Sequence, residues 1–227
     1  MKHLIFVIIL TISIQSFGQS NQKLKGKPTT LEETYIYLDQ MFDDTTKYSF
    51  MTLPEDVATR RLHFGFGMWI RNNWGLWRNS KLKHYFLERG ITHPDDMSSI
   101  ILTFYHRYLN SEQIDFGGNT VNILEDIYKN RTSSSTLLEY FPVNDTIFVS
   151  IYASYRKLFE TYASSVRTTA IVREHIGEKL FVEIIEMGNE PKKKPEKKVG
   201  DSFEVLPIYC NLIPPKGWKF KNNKTNE

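Results

Sequence analysis

The stretch Phe64–Trp77 reads FGFGMWIRNNWGLW and holds three of the four tryptophans in the chain. Its glycines Gly65 and Gly67 stand inside an apparent helix, where each costs about 1 kcal/mol relative to alanine. We therefore expect another helix or bulky aromatic groups to approach the backbone closely there. The segment His93–Ser98, HPDDMS, follows after one short helix. We expect the helical half of the protein to be organised around these two segments.

The first 18 residues have the pattern of a secretory signal peptide. Lys2 supplies a positive charge, Leu4–Ile14 is an apolar run, and Gly18 is a small residue before a polar leader. The run is well short of the roughly 20 apolar residues that a membrane-spanning helix needs, so a signal peptide explains it better than an anchor. We predict an exported protein, periplasmic or extracellular, with no membrane span after signal cleavage.

Charge and cysteine content bear on the class of partner. The formal net charge is +3, and removing residues 1–18 with their one lysine lowers it to +2. A nearly balanced surface gives no electrostatic reason to expect nucleic acid as a partner. Cys210 is the only cysteine, so no disulfide can form within the chain. We expect it to be a small buried residue rather than a nucleophile.

Apolar residues at helical spacing organise the first half of the chain. Thr30 with Glu33 has the capping-box pattern that begins a helix, and Gly90 is suited to end one. Residues 121–128 fit either a strand or a further short helix, and residues 131–136 have the composition of a linker. The pattern predicts helices over 31–42, from about 53 towards 70, over 81–89 and over 95–109, with residues 43–46 ending the first.

Alternating branched and aromatic residues predict strands in the second half. The segment 156–162 fits either a short helix or a broad hairpin. The predicted strands cover 146–152, 167–172, 179–185 and 202–208, with a tight turn at 175–178 and a polar loop at 187–199.

The expected fold class is α+β, with an N-terminal helical domain followed by a small antiparallel β-barrel or curled β-sheet. The composition changes near residue 136, which separates the two parts. The predicted divisions are a signal peptide at 1–18, a flexible leader at 19–29, a helical domain at 30–131, a β domain at 143–215 and a flexible tail at 216–227.

The tryptophan segment carries side chains that are suited to recognition. Tryptophan offers a large rigid face, arginine a planar fork of donors, and asparagine a donor and an acceptor together. Such a set suits a sugar, a peptide or an aromatic partner. Alternatively, the tryptophans belong to the core and an arginine pairs with a nearby aspartate. The candidate binding residues are Trp69, Arg71, Asn72, Asn73, Trp74, Trp77, His93 and Asp96.

Histidines in the helical half raise the question of metal binding or acid-base chemistry. No pair stands in the His-Glu-x-x-His arrangement, and no zinc spacing, Gly-x-Ser-x-Gly motif or phosphate loop is present. We therefore expect neither a metal nor a cofactor. His93, with the two acids that follow it, also fits simple helix capping. An alternative catalytic set consists of His93, Asp95, Asp96 and His106.

The run GMWIRNNWGLW at 67–77, together with GITHPDDMS at 90–98, resembles a bacterial domain family of unknown function. The resemblance covers about residues 30–110, and the strand-rich half lies outside it. It implies no particular activity.

These observations favour an exported bacterial protein that binds a protein, peptide or glycan without catalysis. Two alternatives stay open: a hydrolase of an envelope polymer that uses the alternative catalytic set, and an inhibitor or immunity-type partner. A hydrolase requires at least one of those histidines and one of those aspartates to face a shared cleft. The position of these side chains therefore discriminates between the hypotheses.

Overall fold

A computed structural model describes residues 26–112, 114, 120–129, 131–157, 160–189 and 193–220. The predicted signal peptide, most of the predicted leader and the last seven residues, 221–227, lie outside the described residues. None of the helices within these ranges is long and apolar enough to cross a membrane.

The first half of the chain is helical, as predicted. Thr30 begins the first helix by accepting the Glu33 N–H at 3.3 Å, and Glu33 in turn accepts the Thr29 N–H at 2.6 Å. Gly90, which the sequence predicts to end a helix, has a φ of 78°, a backbone conformation that favours glycine. The helices are α1 (Leu31–Met41), α2 (Asp44–Thr52), α3 (Glu55–Leu62), α4 (Met68–Asn73), α5 (Lys81–Leu87), α6 (Pro94–Leu109), α7 (Thr120–Lys129) and α8 (Ser134–Leu138).

Helix α2 was not predicted, because the run 43–46 was interpreted only as the end of the first helix. That helix does end at Met41, but Asp43 then caps α2 by accepting the Thr46 N–H at 2.7 Å. Polar side chains dominate α2, and Lys47 and Ser49 are among its buried residues. Its stability therefore comes from tertiary packing, which a search for apolar spacing does not detect.

The predicted long second helix is interrupted by a widened turn. Residues His63–Gly67 form a π-helical turn between α3 and α4, so the helical run continues from Glu55 to Asn73. Both glycines of the segment lie in this turn. Such turns are rare in proteins, and those that occur are often located at functional sites.

Three further segments, of which two fitted alternative structures, adopt definite ones. Residues 121–128 belong to helix α7 rather than to a strand. The predicted linker contributes to helix α8, whose Leu137 is buried and whose N-cap is Ser133. In the segment 156–162, the described residues 156–157 and 160–162 belong to two paired strands, with Lys157 opposite Glu160, which corresponds to the hairpin alternative.

The second half forms one curled antiparallel sheet of half-barrel shape, so the α+β class is confirmed. The spatial order is β4-β1-β2-β3-β5, and β6 pairs with the same edge of β1 as β4. Two register shifts between β2 and β3 bend the sheet. The strands are β1 (Thr146–Lys157), β2 (Glu160–Ile176), β3 (Lys179–Met187), β4 (Lys193–Pro195), β5 (Ser202–Val205) and β6 (Cys210–Leu212).

Helices and sheet share a hydrophobic core. Buried residues from both halves, among them Leu102, Leu137, Val149 and Val182, belong to one continuous cluster. The predicted domains at 30–131 and 143–215 therefore pack against each other. The division into two domains at these bounds stays a prediction.

The C-terminal segment returns to the helical half. The Trp218 ring meets the Tyr48 ring edge-on at 5.1 Å, and Lys219 Nζ lies 2.7 Å from a carboxylate oxygen of Asp44. Residues Trp218, Lys219 and Phe220 of the predicted tail are thus in contact with α2.

Candidate functional site

The tryptophan segment divides into a buried and an exposed part. Trp74 is only 3% exposed and meets Tyr37 and Trp69 edge-on at 6.0 and 6.1 Å. It is a core residue that supports its neighbours, as the alternative interpretation of the segment expected for the tryptophans. Trp69 and Trp77 differ from it, since 38% and 53% of their surfaces are exposed.

Arg71 is buried and organises the junction between α4 and α6. Its Nη1 donates to Ser98 Oγ at 2.9 Å and to the His63 carbonyl at 3.5 Å. Its Nε lies 2.9 Å from Asp95 Oδ1, an ion pair in which the N–H is not well directed at the oxygen. A side chain held at three points inside the protein positions other groups and does not itself meet a partner.

Several large apolar side chains of the segment remain at the surface. Phe64 is 80% exposed and Met68 is 50% exposed. The two residues stand four positions apart on one helical run. The Trp69 ring stacks on Phe66 at 5.5 Å, which fixes its orientation. We call Phe64, Met68, Trp69 and Trp77 the exposed apolar set.

The two asparagines of the segment are both exposed. Asn73 Nδ2 donates to the Trp69 carbonyl at 2.8 Å, so this amide nitrogen closes its own helix. Asn72 makes no side-chain hydrogen bond with any residue that the structure describes. It is the asparagine whose amide can meet a partner.

His93 and the acids after it form the beginning of α6. His93 Nδ1 accepts the Asp95 N–H at 3.2 Å, which requires this nitrogen to be unprotonated. The exposed His93 ring also meets Trp77 edge-on at 6.1 Å. Asp95 pairs with Arg71, so its carboxylate is committed to the junction described above. The capping interpretation of this cluster is confirmed for His93.

His106 lies at the other end of α6. Thirteen residues separate it from His93, which corresponds to about 20 Å along the helix axis. It is 6% exposed, and its Nε2 donates to the Leu53 carbonyl at 2.9 Å. His106 therefore shares no cleft with His93, Asp95 and Asp96, and the structure offers no single site for the alternative catalytic set.

A cavity of about 350 Å³ opens between α3, the π-helical turn, α6 and α7. Phe64, a member of the exposed apolar set, lies on its wall. The volume lies in the lower part of the range that small-molecule sites occupy. The lining residues are Asp56, Thr59, Arg60, His63, Phe64, Ser99, Ile127, Tyr128 and Arg131.

Two polar pairs lie at the cavity, and one of them includes a predicted site residue. His63 Nδ1 lies 3.4 Å from Ser99 Oγ. Tyr128 donates its hydroxyl proton to Asp96 Oδ1 at 2.6 Å. Burial and this hydrogen bond raise the pKa of Tyr128 to about 12, so its hydroxyl is protonated and a donor at neutral pH. Asp96 thus reaches the cavity through Tyr128.

Two arginines and one carboxylate also line the cavity. Asp56 accepts both the backbone N–H and the hydroxyl proton of Thr132, at 2.8 and 2.6 Å. Arg60 Nη2 lies 3.5 Å from the same carboxylate. Arg131 has no ion pair or side-chain hydrogen bond with another described residue. The cavity therefore has an excess of positive charge and of hydrogen-bond donors.

The structure does not bring a metal-binding set together in the cavity. Within the described ranges, no group of three histidine, cysteine, aspartate or glutamate side chains is arranged to hold a metal ion.

Apart from Phe64, which belongs to the tryptophan segment, the residues that line the cavity are not singled out by the sequence. They come from four elements, and Tyr128 is 32 residues away from Asp96 in the chain. Arg60 and Tyr128 have no local motif that would identify them. The one available signal was the glycine pair at Gly65 and Gly67, which marks the π-helical turn beside the cavity.

The fold and the cavity define a helical unit packed on a curled sheet, with a candidate small-ligand site in the helical unit. Residues 27–109, which include six of the described helices and most of the cavity, match the model of a family described as Domain of unknown function (DUF6794). A family of unknown function was expected for about this range. No curated protein and no solved structure matches the chain.

Proposed function

We propose that this protein is an exported, non-catalytic binding protein that contacts a peptide or protein partner through the exposed apolar set. The observation that carries the proposal is the 80% exposure of Phe64 at the wall of a cavity, on a π-helical turn. Isolated exposed apolar residues need no explanation, but four within fourteen residues, one of them on the wall of a cavity, mark an interaction site.

The chemistry of the set favours a peptide over a glycan. Phenylalanine and methionine contribute apolar, adaptable surface, which suits the side chains of a peptide. Sugar recognition needs directional polar groups beside an aromatic face, and the Asn73 amide nitrogen already donates to the Trp69 carbonyl. Asn72 and His93 then extend the proposed surface as its polar rim.

The alternative hydrolase lacks an observation in its favour. His93 caps its helix, Asp95 pairs with Arg71, and neither His93 nor His106 lines the cavity that Asp96 reaches through Tyr128. An inhibitor or immunity-type protein is a special case of the proposed function, since such proteins act by binding another protein. The identity of the partner distinguishes this case.

The export part of the proposal rests on the pattern of residues 1–18 and has its own test. Expression of the full chain and of a chain lacking residues 1–18, followed by cell fractionation, should place only the first outside the cytoplasm. Equal retention of both chains in the cytoplasm would contradict export.

The binding part is tested by selecting peptides from a displayed random library against residues 19–227. We expect the selected peptides to bind a Phe64→Ser variant about tenfold more weakly, because anchoring aromatic residues carry most of the binding free energy. Tyr152→Ser is a matched control, since Tyr152 is 56% exposed on strand β1. Failure to select any peptide, or equal binding by the Phe64→Ser variant, would refute the proposed surface.

A further inference from the structure

The ligand class follows from the groups that line the cavity beside Phe64. Two guanidinium groups, Arg60 and Arg131, face one carboxylate, Asp56. That carboxylate already accepts two hydrogen bonds from Thr132. Counted over the residues that line the cavity, one positive charge is in excess, and the Asp96 carboxylate lies behind Tyr128, whose hydroxyl it binds. Such a lining favours a negatively charged group over a neutral or positive one.

Arg60 has a donor without an acceptor. Its Nε is buried and makes no hydrogen bond with any part of the chain that the structure describes. A buried N–H group without a partner is costly and is uncommon in native proteins. Because Nε has no accessible surface, a ligand in the cavity would instead meet the terminal nitrogens of this guanidinium, which lies on the cavity wall. Arg131 would offer a second guanidinium to the same anion, and arginine forks match a planar carboxylate.

The remaining lining sets what the anion is attached to. Phe64 and Ile127 give the cavity apolar walls, and its volume of about 350 Å³ accommodates one or two amino-acid residues. A peptide end supplies both parts, because the last residue carries an apolar side chain and a carboxylate on the same carbon.

We infer that the cavity between α3, the π-helical turn, α6 and α7 binds the C-terminal carboxylate of a peptide that ends in an apolar residue. This inference rests on the proposed function, since it specifies which end of the peptide partner the site receives. Arg60 and Arg131 contact the carboxylate, and Phe64 with Ile127 contacts the terminal side chain.

The test compares two probes that differ only in charge: N-acetyl-alanyl-phenylalanine with a free carboxylate, and the same peptide with a C-terminal amide. NMR titration of residues 19–227 should show the acid binding about tenfold more tightly, because hydrogen bonds to charged groups are the stronger ones. The shifted resonances should include the backbone amides of the lining residues His63 and Ser99.

Arg131→Gln is the informative variant, since Arg131 is exposed and unpaired within the described ranges, and its loss should not impair folding. We expect it to weaken binding of the acid by about tenfold and to leave binding of the amide unchanged. Lys129→Gln is the matched control. It removes the same charge two residues away, and Lys129 does not line the cavity. It should change neither affinity by more than about twofold.

Three outcomes would overturn the inference: equal binding of acid and amide, an unaltered affinity of Arg131→Gln for the acid, or no binding of either peptide. Stronger competition by phenyl phosphate than by the acid would also overturn it, because the site would then prefer a phosphate. Each of these results is separate from the peptide selection, which tests the exposed apolar set through Phe64→Ser. A selected peptide that binds equally well when amidated would keep the proposed function and reject the carboxylate.

Discussion

Gly67 shows how one residue allows a buried charge to be held. A Cβ atom at this position would lie 3.2 Å from Arg71 Nη1 and 3.4 Å from the Leu62 carbonyl oxygen. The arginine cannot move away easily, because Ser98 and Asp95 hold it. A close approach exists at Gly67, but the approaching group is the Arg71 guanidinium rather than the helix or aromatic ring expected from the sequence, and at Gly65 the expectation is wrong.

Gly67→Ala should lower the free energy of unfolding by about 1–2 kcal/mol, because the added methyl group displaces a pinned arginine. Gly65→Ala should raise it by about 0.5–1 kcal/mol, because alanine restricts the unfolded chain. Nothing lies within 4 Å of a Cβ at Gly65. Urea unfolding of both variants measures the difference. Equal effects of the two substitutions would show that Arg71 does not require Gly67.

Tyr35 and Tyr105 form a second informative pair in the core. The two rings stack at 6.5 Å, but only the Tyr105 hydroxyl has an acceptor, Asp39, at 2.9 Å. The Tyr35 hydroxyl is buried and has no hydrogen-bond partner among the described residues. Burial raises the pKa of both hydroxyl groups, so both are protonated at neutral pH.

Tyr35→Phe should leave the protein equally stable or stabilise it by up to about 1 kcal/mol, because it removes an unsatisfied buried group. Tyr105→Phe should destabilise it by about 1 kcal/mol, because a hydrogen bond to a carboxylate is lost. Thermal and urea unfolding at pH 7 provide both values. Destabilisation by Tyr35→Phe as large as that by Tyr105→Phe would mean that the Tyr35 hydroxyl has an acceptor.

At the scale of elements, strand β6 joins the sheet to helices α2 and α3. Arg61 Nη2 donates to Asn211 Oδ1 at 2.9 Å, and the Leu212 N–H donates to Ser49 Oγ at 3.1 Å. Burial lowers the pKa of Arg61 to about 10, which reflects the cost of placing a guanidinium there. The side chain of Asn211 is therefore its essential acceptor.

Asn211→Ala should destabilise the protein by about 2 kcal/mol, since it leaves the buried Arg61 without this acceptor. Asn72→Ala is the control, because Asn72 is exposed and its loss should change stability by no more than about 0.5 kcal/mol. The double variant Asn211→Ala with Arg61→Met should recover part of the loss, because the unpaired charge is removed with it. A double variant that simply adds the two losses would argue against this coupling.

At the scale of the molecule, the continuous core predicts that helices and sheet unfold together. Cys210 is fully buried in the sheet, and burial raises the pKa of its thiol to about 12. It should therefore resist thiol reagents at pH 8 until the structure opens. Three of the four tryptophans lie in the helical half and report on its unfolding.

We expect the urea midpoints from Cys210 labelling and from tryptophan fluorescence to coincide, because one cluster of buried residues spans both halves. The free thiol in a fully unfolded sample sets the maximum rate of labelling. Two separated midpoints would contradict this prediction and would support independent folding of the two predicted domains.

The sequence by itself determined the secondary structure wherever the signal is local. The capping of α1 by Thr30, the apolar face of α6 and the alternation of β1 and β3 each depend on residues within one element. These signals were sufficient for the α+β class and for a family of unknown function over the helical part. Helix α2 was missed because its stability depends on what packs against it.

Only the tertiary structure decided which tryptophan is core and which is surface, because burial depends on neighbours from other elements. Trp74 is enclosed by Tyr37 from α1, whereas Trp77 meets only the exposed ring of His93 among the aromatic contacts described. The cavity was equally beyond the sequence, since Arg60, Ser99 and Tyr128 come from three helices. Their meeting is set by helix packing, which no spacing along the chain encodes.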